Sequence, residues 1–175
     1  MPDAPAIEPG LRERKRIATR RAIQLAALTV VRDRGLETAT VDEIARVADV
    51  SPRTFFNYFP SKEDAIVGDG PELPHGELQE SFVRDRGPVL EALADILVAS
   101  VSPNLEDHEV VTARRVLLRD HPQLAARRWA NIHRFEVQLI ELVTRRLAEE
   151  DPVLGADGAA LRSRARMVAL VAIAA

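Results

Sequence analysis

The sequence predicts an all-α protein: an N-terminal three-helix unit with a helical bundle behind it. Three observations carry that expectation. Apolar residues recur at helical spacing in segment after segment, and no stretch shows strand alternation or a hairpin dipeptide. Aromatic residues are only 4% of the chain, while Ala, Leu, Val and Arg dominate, which suits helices better than sheets. Helix start and stop residues fall where the periodic stretches begin and end. The 175 residues, 46% of them apolar, suffice for one ordinary domain plus a small one.

Residues 1–10 (MPDAPAIEPG) are acidic and Pro-rich, without an apolar run; they read as a disordered tail and not as a signal peptide. From Leu11 to Arg34 a helical pattern runs without Pro or Gly, and Gly35 is its natural stop. Thr40 and Glu43 form a capping-box pair ahead of a short second helix expected to bury Val41, Ile44, Ala45 and Val47/Ala48. Asp49 falls where the chain must turn. Ser51-Pro52 restarts a helix with Ser as N-cap and Pro at its first position, and Pro60 ends it by Phe59. Ser61 and Asp64 repeat the capping arrangement for a fourth helix running towards Val67. Residues 68–77 (GDGPELPHGE) are loop-like and mark the boundary between an N-terminal module, 11–67, and a C-terminal one, 68–175. Four further helices are expected there: Val89 to Val101, Asp107 to Arg119, Pro122 to Glu150, and one from about Asp157 to Ala175.

Charge and composition narrow the function. The net charge of −3 argues against a protein that coats nucleic acid generally. The distribution says more: residues 1–60 hold ten basic and eight acidic side chains, the remainder fourteen and nineteen. Six of the basic residues lie in residues 11–21 (LRERKRIATRR). A basic end on an acidic body is the asymmetry expected when one end meets a polyanion, with a solvated helix face as the blander reading. The chain has no cysteine, so disulfide and thiol chemistry are excluded. Its apolar runs are too short to span a bilayer, and a cytoplasmic protein is expected.

The stretch TVDEIARVADVSPRTFFNYFPSKEDAI, residues 40–66, is the most informative. Two short helices about a tight turn make a helix-turn-helix, whose second helix is too short to stand alone. Phe55 and Phe59, four apart, share the face that packs on the first helix and Ile44. Arg53, Thr54, Asn57 and Tyr58 are left to point outward. Arg reads guanine bidentately, Thr and Asn read base edges, and Tyr reaches a phosphate oxygen. Lys62 stands near a helix start, placed for a phosphate, and Thr40 offers a hydroxyl and a helix N-terminus for another. A structural hairpin with solvated polar residues is the competing account of each residue alone.

This stretch, preceded by TRRAIQLAALTVVRDRGLETATV, resembles the tetracycline-repressor (TetR) family of bacterial transcription regulators. The resemblance is close over residues 12–67 and extends beyond them only as helix number and order. It implies DNA contacts at Thr40, Arg53, Thr54, Asn57, Tyr58 and Lys62, with the 52–59 helix in the major groove. Two positions depart from the family pattern: Asp49 where Gly is common, and Phe56 where Tyr is common. The resemblance also implies a homodimer through the C-terminal helices and a small-molecule effector. Leu97, Leu117, Trp129, Ile132, Phe135 and Leu139 are the candidates to line that pocket, each with plain core as its alternative. Arg114, Arg115, Arg127 and Arg128 offer charge to an anionic ligand, with a surface role as the commoner use. RVLLRDHPQLAARRW loosely resembles regulators that sense acyl-CoA-like molecules.

The apolar run ARMVALVAIAA lacks a polar exit and is expected to pack in the dimer interface. The family usually adds one more helix after it. An enzyme is not expected: the four histidines lie in different segments, and no phosphate loop, nucleophile elbow or paired carboxylates stand out. His133 and Glu136 share a helix face without a third metal ligand at helical spacing, so neither a metal nor a cofactor is expected. The alternative function is a helical module that binds only protein.

Overall fold

The computed structural model describes residues 10–101 and 108–174. Residues 1–9 of the tail expected over 1–10, and the expected helix start at Asp107, lie outside the described residues. Those described form helices and connecting turns, with no strand among them. In chain order the helices are α1 (Leu11–Arg34), α2 (Val41–Val47), α3 (Pro52–Tyr58), α4 (Lys62–Val67) and α5 (Glu77–Arg84). They continue as α6 (Val89–Val101), α7 (His108–Asp120), α8 (Pro122–Glu150), α9 (Pro152–Ala156) and α10 (Gly158–Ala174). Residues 77–84 and 152–156 are helices beyond those expected from sequence. α5 has no side-chain cap at its start and buries only Phe82 and Val83, and α9 buries none of its five residues.

Two compact units form, and they do not divide cleanly at residue 68. Residues 10–68 are joined by α7 and the first residues of α8, up to Ala125; residues 69–101 and 126–174 make the other. The core of the first unit gathers Ile23, Ala27, Leu28 and Val31 of α1 with Ile44, Phe55, Phe59 and Ile66. Val110 and Leu117 of α7 close it, and Leu124 joins them. Arg114 of α7 is almost fully buried and donates from Nε to the Ile66 carbonyl at 2.6 Å, tying α7 to the end of α4.

The second unit packs α5, α6, α10 and most of α8 around Leu93, Ile96, Phe135, Leu139, Leu142 and Val143. A fully buried arginine lies among them. Arg146 donates to the Phe82 and Gly87 carbonyls at 3.1 and 2.6 Å, and to Asp85 at 3.3 Å. Its guanidinium also lies 4.9 Å from the Phe82 ring centroid. A buried charge needs such partners, and these are the end of α5 and the turn after it.

Candidate nucleic-acid interface

Three hydroxyl caps set the short helices in place. Thr40 accepts the Glu43 N–H at 3.3 Å, Ser51 the Thr54 N–H at 3.0 Å, and Ser61 the Asp64 N–H at 3.2 Å. The Glu43 carboxylate is turned to Arg34, 2.9 Å away. Between α2 and α3 the chain turns through a Schellman motif: Val50 N–H reaches the Ala45 carbonyl at 2.9 Å, and Asp49 N–H reaches that of Arg46 at 3.3 Å. Asp49 takes the left-handed conformation (φ 54°) usually filled by glycine there, which Asp tolerates better than most residues.

The turn fixes α3, and burial divides its side chains. Phe55 and Phe59 are buried to within 1% and pack on α1 and Ile44. Burying each ring stabilises the unit by about 1.5–3 kcal/mol, which holds in place a helix of seven residues. Arg53 and Asn57 are exposed, while Thr54 and Tyr58 are half-buried, with Tyr58 leaning on the core. Thr54 also shares a hydrogen bond with the Ser51 hydroxyl at 2.8 Å. Phe56 is 55% exposed and meets Phe55 edge-on.

Arg20 of α1 was not singled out by sequence, yet it grips the far end of α3. Its Nη1 donates to the Tyr58 carbonyl at 3.2 Å, and its guanidinium lies 4.1 Å from the Phe59 ring centroid. A cation at a helix C-terminus satisfies an orphan carbonyl and complements the helix dipole. Arg20 also lines a groove with Arg12, Arg16, Asn57 and Tyr58. Hydrogen bonds from Arg16 (2.7 and 2.9 Å), together with its charge, hold the Glu13 carboxyl below the ordinary glutamate range. Part of the basic run is thereby neutralised within α1 itself.

Lys62 lies differently from its sequence expectation. Its ammonium points back, donating to the Leu36 carbonyl at 2.7 Å and the Ala39 carbonyl at 2.8 Å. Two of its three donors thus clamp the loop that carries Thr40. Thr40 itself is exposed at the start of α2.

Of the six residues expected to line an effector pocket, Leu117 lies in the first unit, against α1, and the other five in the second. Phe135 and Leu139 are core of the second unit, with Leu97 half-buried against them. Ile132 is half-buried and Trp129 is 69% exposed. Of the four arginines weighed for an anionic ligand against the commoner surface role, Arg114 is buried as described, and Arg128 donates to the Asp69 carbonyl at 2.7 Å. His133 Nδ1 lies 3.5 Å from Glu136, and among the described residues no group of three or more His, Asp and Glu side chains could hold a metal ion. No helix among the described residues is long and apolar enough to cross a membrane.

Comparison with known proteins matches this unit. Residues 23–65 fit the family described as bacterial regulatory proteins, tetR family. The chain is 39% identical over 75 residues to the HTH-type transcriptional regulator TcmR of Streptomyces glaucescens, covering 43% of this chain and 31% of that protein. It is 46% identical over 48 residues to the HTH-type transcriptional regulator BetI of Rhizobium meliloti (strain 1021), covering 27% of this chain and 24% of that protein. The match therefore spans less than a third of either relative. A crystal structure described as a tetR-family transcriptional regulator from Mesorhizobium loti aligns over 93% of this chain and 97% of its own, at 17% identity and a TM-score of 0.39. That overlap is too loose to fix a fold.

Proposed function

We propose that this chain, a member of the tetR family of bacterial regulators, binds a palindromic operator as a homodimer and releases it when a small molecule binds. The observation that carries the reading is the division of α3: Phe55 and Phe59 are buried, while Arg53 and Asn57 stand exposed on the opposite side. Arg53 reads guanine and Asn57 a base edge, with Thr54 flanking them. Tyr58 and the Thr40 hydroxyl at the α2 N-terminus meet phosphates, while Arg20 and Lys62 hold those groups in place.

Support for a dimer comes from α10. It buries Leu161, Ala165 and Ala169 yet leaves Met167, Leu170, Val171 and Ile173 between 42 and 62% exposed. An apolar strip of this kind is what a second copy covers. Two recognition helices would then sit about one DNA turn, roughly 34 Å, apart. An effector of hydrophobic or acyl type, held by the C-terminal helices, would favour a state with the wrong spacing. Effector and DNA would weaken each other equally, by about 1–3 kcal/mol. Repression is the expected sense of control, and catalysis is not part of the proposal.

Selection of the chain against a randomised duplex library at two salt concentrations tests this. Enrichment of a palindrome, with affinity falling steeply as salt rises, is the expected result. A module that binds only protein would enrich nothing at either salt.

A further inference from the structure

Within the first unit a cavity of about 640 Å³ opens between α1 and α7. Leu25 and Leu28 of α1 face Ala113, Val116 and Leu117 of α7 across it, with Thr29, Arg32, His108, Glu109 and Thr112 also on its walls. Its size is that of a small-molecule site, and its make-up, apolar with a few polar groups, is the usual one for such sites. From this cavity we infer that the helix-turn-helix unit carries its own binding site for a small, uncharged, largely apolar molecule.

The charges on its walls indicate what fits. Arg32 is committed to Asp33 at 2.9 Å, and Glu109 to Arg21 at 3.3 Å. His108 Nε2 lies 3.5 Å from the Thr112 hydroxyl. The two ionic side chains are already balanced by neighbours, so an ionic ligand gains no unmatched counter-charge. An apolar body gains the leucine, valine and alanine surface, and one hydroxyl or carbonyl suffices for the threonine hydroxyls. Leu117, expected from sequence at an effector pocket, lines this cavity instead of one in the second unit.

Position gives the site a consequence. α1 forms one wall, and the same helix carries the apolar bed of Phe55 and Phe59 and the Arg20 grip on α3. A molecule that moves α1 against α7 therefore changes how α3 is held. This coupling rests on the proposed DNA reading; the binding itself does not.

The test uses the full chain and the neutral probe N-phenyl-1-naphthylamine, whose fluorescence rises in apolar surroundings. Thr112→Phe and Thr29→Phe fill the cavity from opposite walls. Thr112 is exposed, so that variant keeps the test open should Thr29→Phe fail to fold, which circular dichroism reports. The expected result is saturable one-to-one binding, weakened at least tenfold by the folded variants and unchanged by Trp129→Ala in the second unit. Saturating probe should then weaken binding to the selected duplex at least about fivefold in the wild type and not in Thr112→Phe. Absence of saturable binding, or binding that survives Thr112→Phe and is lost in Trp129→Ala, overturns the site. Binding at the cavity without a change in DNA affinity overturns the coupling. If no duplex is ever selected, the titration alone still decides the site.

Discussion

Replacing Lys62 with methionine keeps the aliphatic stem and removes the ammonium. Two charge-assisted hydrogen bonds, of 2.7 and 2.8 Å, are lost with it. Their acceptors belong to Leu36 and Ala39, which are only 5 and 2% exposed, so water replaces the donor poorly. A hydrogen bond to a charged group is worth about 1.5–3 kcal/mol net, and because one ammonium serves both carbonyls the loss is taken as about 2 kcal/mol in all. For a chain of this size that lowers Tm by about 4–8 °C. The salt dependence of DNA binding should change little, since a lost phosphate contact would cut the slope by about 0.9. Thermal unfolding by circular dichroism, with binding titrations at four salt concentrations, reads both quantities. An unchanged Tm with a slope reduced by about one would refute the clamp and make Lys62 a phosphate contact.

Arg53→Ala should relax base preference at one position per half-site, at about 1–3 kcal/mol for that base, with little change in Tm; repeating the library selection checks it. Gly35 sits at φ 86°, ψ 156°, a region nearly closed to other residues, while an added Cβ would meet only the Thr38 hydroxyl at 3.9 Å. Gly35→Ala should therefore cost about 1–2 kcal/mol by denaturant unfolding, from backbone conformation and not from a clash. Asp85 accepts from the Gly87 N–H and faces Arg146, and both hold its carboxyl below the ordinary value of 3.8. A depressed carboxyl stabilises the fold above its unfolded pKa and loses that contribution as pH falls through the folded one. Asp85→Asn should make Tm less dependent on pH below about 4, measured by thermal scans across the acid range.

The helix-turn-helix was legible because its determinants are local. Thr40, Ser51 and Ser61 cap the helices that follow them, Asp49 supplies the left-handed turn, and Pro60 stops α3. The four-residue spacing of Phe55 and Phe59 located the buried side of α3 and left Arg53 and Asn57 outside. The short α5 was not legible because no side chain caps its start at Gly76; α9 does open on an Asp151 cap with Pro152 in its first turn, but its five residues bury nothing that would mark a helix face. The set expected at an effector pocket was divided between the two units for a different reason. Helical spacing identifies which residues face inward, but not which of two cores receives them, so Leu117 and Phe135 went to different units.

Sequence by itself determined the all-α class, the order of the main helices, and the division of α3 into a buried and an exposed side. Each of these depends on interactions within a few residues, which the chain carries wherever it goes. Tertiary structure alone decided that α7 packs with the N-terminal unit, that Lys62 clamps the loop before Thr40, and that Arg20 caps α3. It also decided that Arg114 and Arg146 are buried and not surface charges. Long basic side chains can turn to solvent, to a phosphate or to a carbonyl many residues away. Arg20 and Tyr58 lie 38 positions apart, and Arg146 and Phe82 lie 64 apart. The choice among such partners is made only when the helices pack and leave particular carbonyls buried without a donor.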